Sequence, residues 1–225
     1  MPLAGSAVLA IWNDIAPGGD AEFDHWHTTE HIPERVSVPG FLRGRRYNAI
    51  AGNPTYFTLY ETDTVAVLQS PAYLARLNAP TPWTSKCIQL FRNNRRTACR
   101  TTVSLGAGMG GVLATLELGP LADGEDSLRA WLTSTALPAA AEHAGIVGAH
   151  LCEADVEMTI ARTAEKKLLD KPDELARWVV MVEGVGPEIV EGTVRDLLDA
   201  EHLARHGAAP DISLALYRLV YALSR

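Results

Sequence analysis

The second half of this chain repeats the first. Shifting the numbering by 105 lays Trp26 on Trp131, Ile32 on Leu137, Pro33 on Pro138 and Gly40 on Gly145. The apolar run Val8-Leu9-Ala10-Ile11 falls on Leu113-Ala114-Thr115-Leu116 in the same frame. Tryptophan, proline and glycine recurring at fixed spacing are packing and turn residues, so a scaffold is being repeated. Any architecture for the chain has to be built from two similar units.

Ala7–Trp12 (AVLAIW) reads as a buried strand. Asp20 is a candidate N-cap, and Glu22 and Asp24 place negative charge in the first turn, where the helix dipole favours it. These signals predict a helix from about Ala21 to His31. It should end or kink at Ile32, because a residue before proline disfavours helical geometry. Pro39-Gly40 opens an alternating strand, Phe41 to Ile50, and Gly52-Asn53-Pro54 turns it into a second strand, Thr55–Glu61. Asp63 to about Asn78 predicts two short helices divided at Pro71, with Pro80 and Pro82 as breakers; Arg92–Leu105 is a fourth strand. The order β-α-β-β-α-β is the ferredoxin-like one.

In the second unit, an insertion of about 17 residues relative to the first falls near residues 156–176. Beyond it Arg177–Glu183 matches Thr55–Glu61, Ile189–Ala204 reads as a helix and Ile212–Leu223 as the last strand. The glycine run 106–111 (GAGMGG) lacks the Lys-Ser/Thr ending of a phosphate loop and precedes a strand, so it is a linker. The expected organisation is therefore α+β. Two tandem ferredoxin-like repeats, 1–105 and 112–225, pack sheet to sheet as a pseudo-dimeric barrel, each covering the other's apolar face.

Composition narrows the function. The chain has 225 residues, 47% of them hydrophobic, enough for a substantial core, and a net charge of −7 that gives no reason to expect nucleic acid as a partner. Cys87, Cys99 and Cys152 are few, odd in number and far apart, which fits a reducing compartment. No signal-peptide pattern and no apolar stretch of roughly 18 residues is present, so the expectation is a cytoplasmic protein without a membrane partner. Strand edges left open by the repeats would suit pairing into a homodimer.

The repeat also separates scaffold from site. His27, Glu30 and His31 correspond to Leu132, Thr135 and Ala136, so the polar group belongs to the first unit alone. On a helical wheel Glu30 lies beside the apolar stripe of Phe23 and Trp26. It either pairs with an arginine such as Arg35, Arg43 or Arg45, acts as an acid/base with His27 or His31, or meets solvent.

The pattern EF-x-x-W-x-x-x-EHIPER-x-x-x-PGF-x-x-x-RRY over residues 22–47, followed by Y-x-x-LYE at 56–61, resembles the dimeric α+β barrel superfamily, nearest its uncharacterised, EthD-like branch. The resemblance covers about residues 5–100 and extends by repeat over 108–223. It implies two ferredoxin-like repeats forming an intramolecular barrel. Superfamily members include cofactor-independent quinol monooxygenases, lactone isomerases, haem-degrading and chlorite dismutase-like enzymes, and stress-response proteins, so the motif specifies fold and leaves the reaction open.

Three chemistries compete for the cluster. His27-Thr-Thr-Glu30-His31 matches the H-x-x-E-H zinc signature, although Pro33 comes early for it and no clear third-ligand helix follows; a looser metal site would use His27 and His31 with another residue. Haem would need an axial histidine, with His202 and His206 as candidates; both also suit a helix C-terminus. The most economical reading assigns no metal and no cofactor. Trp12, Trp26, Tyr47, Tyr56 and Tyr60 would line a pocket for a small planar oxygenated ligand, His27, Glu30 or His31 would move a proton, and Arg43 would stabilise an oxyanion. The expectation is a small-molecule-binding protein, monooxygenase- or isomerase-like if an enzyme, on an aromatic or polyketide-like substrate. The alternative is a non-catalytic ligand-binding or assembly protein.

Overall fold

The computed structural model describes residues 3–159, 163–169 and 175–225. Among them, strands β1 (Ala7–Ile15), β2 (Phe41–Ala51), β3 (Tyr56–Thr62), β4 (Phe91–Gly106), β5 (Val112–Leu118), β6 (Ile146–Ala154), β7 (Trp178–Gly184) and β8 (Ser213–Ser224) form a closed antiparallel barrel. Its order is β1-β3-β2-β8-β5-β7-β6-β4. Strands of the N-terminal half are neighbours, as are those of the C-terminal half, and two seams close the ring, β2 on β8 and β4 on β6.

The two sets of strands thus join edge to edge, where face-to-face packing is the expectation from sequence. Open edges would leave rows of unpaired backbone N–H and C=O groups, and the seams satisfy them. The edges expected to pair with a second chain are in this way used within one.

Each strand sends alternate side chains to opposite faces. Val8, Ala10, Trp12, Tyr47, Phe57, Leu59, Met181 and Tyr217 meet as one buried cluster inside the barrel. A charged network shares that interior. Arg43 holds Glu61 side-on through Nε and Nη2 at 2.9 and 2.7 Å, and Arg45 Nη1 donates to both Glu183 oxygens at 2.9 Å. Burial alone would raise the Glu183 carboxyl, but the Arg45 guanidinium and hydrogen bonds to it hold it near 2.

Helices cover the outside. In the N-terminal half these are α1 (Asp20–Trp26), α2 (Ile32–Ser37), α3 (Pro71–Asn78) and α4 (Pro82–Ile88). The helix does not end at Ile32. A π-helical turn, His27–His31, joins α1 to α2, and the Ile32 N–H donates to the His27 carbonyl five residues back. Pro33, in the first turn of α2, has no N–H to contribute, and the wider turn makes room for its ring. The C-terminal half repeats the device: α5 (Glu125–Trp131), a π-turn Leu132–Ala136, then α6 (Leu137–Glu142) with Pro138 in its first turn.

Two further expectations change. Pro82 starts a helix instead of breaking one, because proline at the first position costs no hydrogen bond and Thr81 caps the Thr84 N–H at 2.9 Å. The helix expected over Ile189–Ala204 is divided into α8 (Pro187–Leu197) and α9 (Ala200–Arg205), with Asp199 capping the second. Within the insertion the structure shows α7 (Val156–Thr159) and a 3-10 turn at Lys166–Leu168; residues 160–162 and 170–174 lie outside the described residues. No helix among the described residues is long and apolar enough to cross a membrane.

Candidate functional site

The helix α1–α2 lies against the outer face of the N-terminal strands. Gly44 of β2 lets it come close, since a Cβ there would stand 2.9 Å from Ile32 Cγ2 and 3.1 Å from the Tyr60 ring. Between helix and sheet is a cavity of about 60 Å³. Trp26, His27, His31 and Arg35 line it from the helix, Ile11 and Asn13 from β1, and Thr58 and Tyr60 from β3. Tyr73, Leu77, Ile88 and Phe91 supply apolar walls, Asn94 and Arg96 a polar one, and Thr163, Glu165 and Leu169 close the remaining side.

The π-turn sets the two histidines on one face. Their rings stack at 5.3 Å with an interplanar angle of 21°. His27 also stacks on Phe23 at 4.8 Å, and His31 lies 4.3 Å from Trp26. Burial pushes both imidazoles well below their usual pKa, and neighbouring arginines, Arg35 for both and Arg46 for His27, push the same way. Both rings are therefore neutral at physiological pH. The Nδ1 atom of each, and the Tyr60 hydroxyl beside them, are buried without a hydrogen-bond partner. Burial raises the Tyr60 phenol, which stays protonated.

Arg35 supplies the charge. Its side chain is 2% exposed and forms ion pairs with Glu34 at 2.9 Å and with Glu165. Burial would lower its pKa, but Glu165 and the other anionic neighbours raise it, so it remains a cation.

Of the residues expected in a pocket, His27, His31, Trp26 and Tyr60 meet there. Glu30 is not among the lining residues and, among the described residues, pairs with no arginine: its Oε1 accepts from Thr81 at 2.6 Å and Thr84 at 3.1 Å, tying α4 to the helix. Trp12 and Tyr47 point into the barrel, where Trp12 Nε1 donates to Thr115 at 3.4 Å. Arg43 is engaged with Glu61. Tyr56 packs on Phe23 and donates to Asp20 at 2.8 Å. Residues absent from the sequence reading of this pocket are Arg35, Asn13, Thr58, Arg96 and Glu165. Period-two alternation would have separated Ile11 and Asn13 from Trp12, and Tyr60 from Glu61.

A metal or a haem makes its own demands on these histidines. Their stacked rings leave Glu30 outside the pair, and among the described residues no three His, Cys, Asp or Glu side chains converge as a metal would need. The Asp199 carboxylate caps the His202 N–H at 2.8 Å and stands 3.1 Å from its Nδ1, and His206 stacks on Trp131 at 4.3 Å, so both side chains are engaged locally. Among the described residues no donor set for a metal is assembled, and both haem candidates are engaged locally.

No protein-family model matches the chain, and no curated protein does. Solved structures do match. An anthrone oxidase-like protein superposes with a TM-score of 0.67 at 11% identity, covering 97% of this chain and 92% of its own. A candidate monooxygenase from Lactobacillus acidophilus gives 0.61 at 8% identity, over 97% and 96%. A heme-binding protein from Thermus thermophilus gives 0.53 at 13% identity, over 97% and 92%. At such identities the likeness speaks for architecture alone. The chain shares the fold of the dimeric α+β barrel proteins.

Proposed function

We propose that the chain is a small-molecule-binding protein and a cofactor-independent enzyme acting on an aromatic or polyketide-like oxygenated substrate. One observation carries this: two neutral, buried imidazoles and a phenol present unpartnered polar atoms to a single aromatic-walled cavity. Unsatisfied buried donors and acceptors are costly, and proteins retain them where a ligand satisfies them. A neutral imidazole accepts a proton from an acidic C–H or O–H of the substrate, and the Tyr60 hydroxyl donates to the substrate oxygen. The resulting imidazolium and substrate anion stabilise each other in a site that excludes water. Returning the proton to another carbon is an isomerisation; consuming dioxygen as co-substrate is an oxygenation. The resemblance to the EthD-like branch and the similarity in fold to oxidase- and monooxygenase-like proteins support this reading.

The same reading treats the chain as two ferredoxin-like units, 1–105 and 112–225, joined by 106–111. Matching π-turns at His27–His31 and Leu132–Ala136 support it.

The test is a turnover screen in air over hydroxylated aromatics and polyketide-like ketones, with no metal or cofactor added. His31→Leu and His27→Leu, checked for folding by thermal melting, should each lower turnover by about 100-fold or more. Turnover that survives both replacements overturns the proton-transfer role. A non-catalytic ligand-binding protein would show stoichiometric binding and no turnover with any compound.

A further inference from the structure

The cavity in the N-terminal half is completed by the C-terminal half. Glu165 lines it and pairs with Arg35, from which it is 130 residues distant in the chain. Two backbone contacts carry it there: the Glu165 N–H donates to the Leu77 carbonyl at 3.0 Å, and the Ala164 N–H to Asn78 Oδ1 at 3.1 Å. Arg35 already has a carboxylate at hand in Glu34, which also lies 3.7 Å from Arg76. Glu165 is thus the second carboxylate on Arg35, and the one drawn from the C-terminal half. A guanidinium fork is shaped to take a planar carboxylate side-on, and a carboxylate is what Glu165 presents to it.

His27, His31 and Tyr60 line the same cavity, and the two Nδ1 atoms and the hydroxyl are buried without a partner. One end is thus filled by an acid of the protein's own, and the other has polar atoms with nothing to meet. Its volume of about 60 Å³ is also below that of a site for an aromatic ring; a cavity of about 150 Å³ holds benzene. The Glu165 side chain is 16% exposed, so it has solvent to swing into.

We propose that Glu165 occupies the seat of an acidic ligand. The ligand is a planar aromatic or enolic monoanion whose carboxylate displaces Glu165 from Arg35, and whose second oxygen reaches Tyr60 and the histidines. This rests on the small-molecule reading above and names its substrate class. Arg35 is then the residue that selects acids over their neutral analogues.

Salicylate and salicylamide test it, because they share size, planarity and the ring hydroxyl and differ in charge. Isothermal titration of both probes is made against the wild-type chain, Glu165→Gln and Glu165→Ala, each checked for folding by thermal melting. Salicylate should bind the wild type more tightly than salicylamide. Removing the internal competitor should tighten salicylate by about tenfold in both variants and leave salicylamide within about twofold. Equal affinity for the two probes, or salicylate binding unchanged or weakened in the variants, overturns the proposal while the pocket reading stands. Absence of binding by either probe to all three proteins also overturns it, and the turnover screen then decides the broader reading separately.

Discussion

Two helices at matching positions show how one scaffold carries two fates. Residues 20–37 and 125–142 each run α-helix, π-turn, α-helix, with proline in the first turn of the second segment. Beneath the second, Leu132, Ala136, Leu137 and Ala140 pack into an apolar cluster with Leu116, Leu151, Val180 and Val194. Beneath the first, His27, His31 and Arg35 stand in the places of Leu132, Ala136 and Ala140, and the space is a cavity. Wide turns of this kind often mark functional sites. Here the turn recurs where the buried positions, Leu132 and Ala136, are apolar, so it belongs to the scaffold, and the side chains alone make the site.

The comparison can be broken most forcefully by truncating each half at the same position. Leu132→Ala removes a fully buried side chain from a closed core and should cost about 3 kcal/mol in denaturant unfolding. His27→Leu should stay within about 1 kcal/mol of wild type, because it exchanges a buried, unpartnered polar group for an apolar one of similar size. Equal losses would mean that the histidines are ordinary core.

Protonation should separate the halves next. The folded state holds His27 and His31 well below the ordinary value of 6.5, so below that pH the unfolded chain binds more protons. Their contribution to stability is intact above pH 6.5 and is lost as pH falls toward the depressed folded values. The loss is about 1 kcal/mol for each histidine between pH 6.5 and 5.5, and approaches about 1.4 kcal/mol per pH unit below that. Unfolding free energies measured at about pH 6.5 and 5.5 should show it. The double variant His27→Leu/His31→Leu should flatten the dependence, as Glu183, near 2, titrates outside this window. An unchanged slope in the double variant would show that other groups govern it.

The smallest effect is expected at Glu30. Glu30→Gln keeps an acceptor for Thr81 and Thr84 and should cost no more than about 1 kcal/mol by thermal melting, with turnover unaffected. Loss of turnover in a folded Glu30→Gln protein would return Glu30 to the chemistry and narrow the difference between the two helices to that carboxylate.

The strand order within each half and the location of the polar cluster in the first half were legible early, because proline, glycine and tryptophan mark turns and packing wherever they stand. The membership of the pocket was less so. Trp12 and Tyr47 read as pocket aromatics until the pleat turns them into the barrel, and Tyr60, from the same kind of run, faces outward. Arg35 was visible within EHIPER only as a partner for Glu30, whereas the structure joins it to Glu34 and Glu165.

By itself the sequence determined most of the elements and which half holds the histidines, since these follow from spacing and local chemistry. Tertiary structure decided which face of each strand looks at the helices and which distant carboxylate meets Arg35. The first depends on strand register, where a shift of one residue exchanges the two faces, and the barrel seams settle it. The second depends on bringing residues 35 and 165 together across the cavity, a contact that local spacing cannot encode.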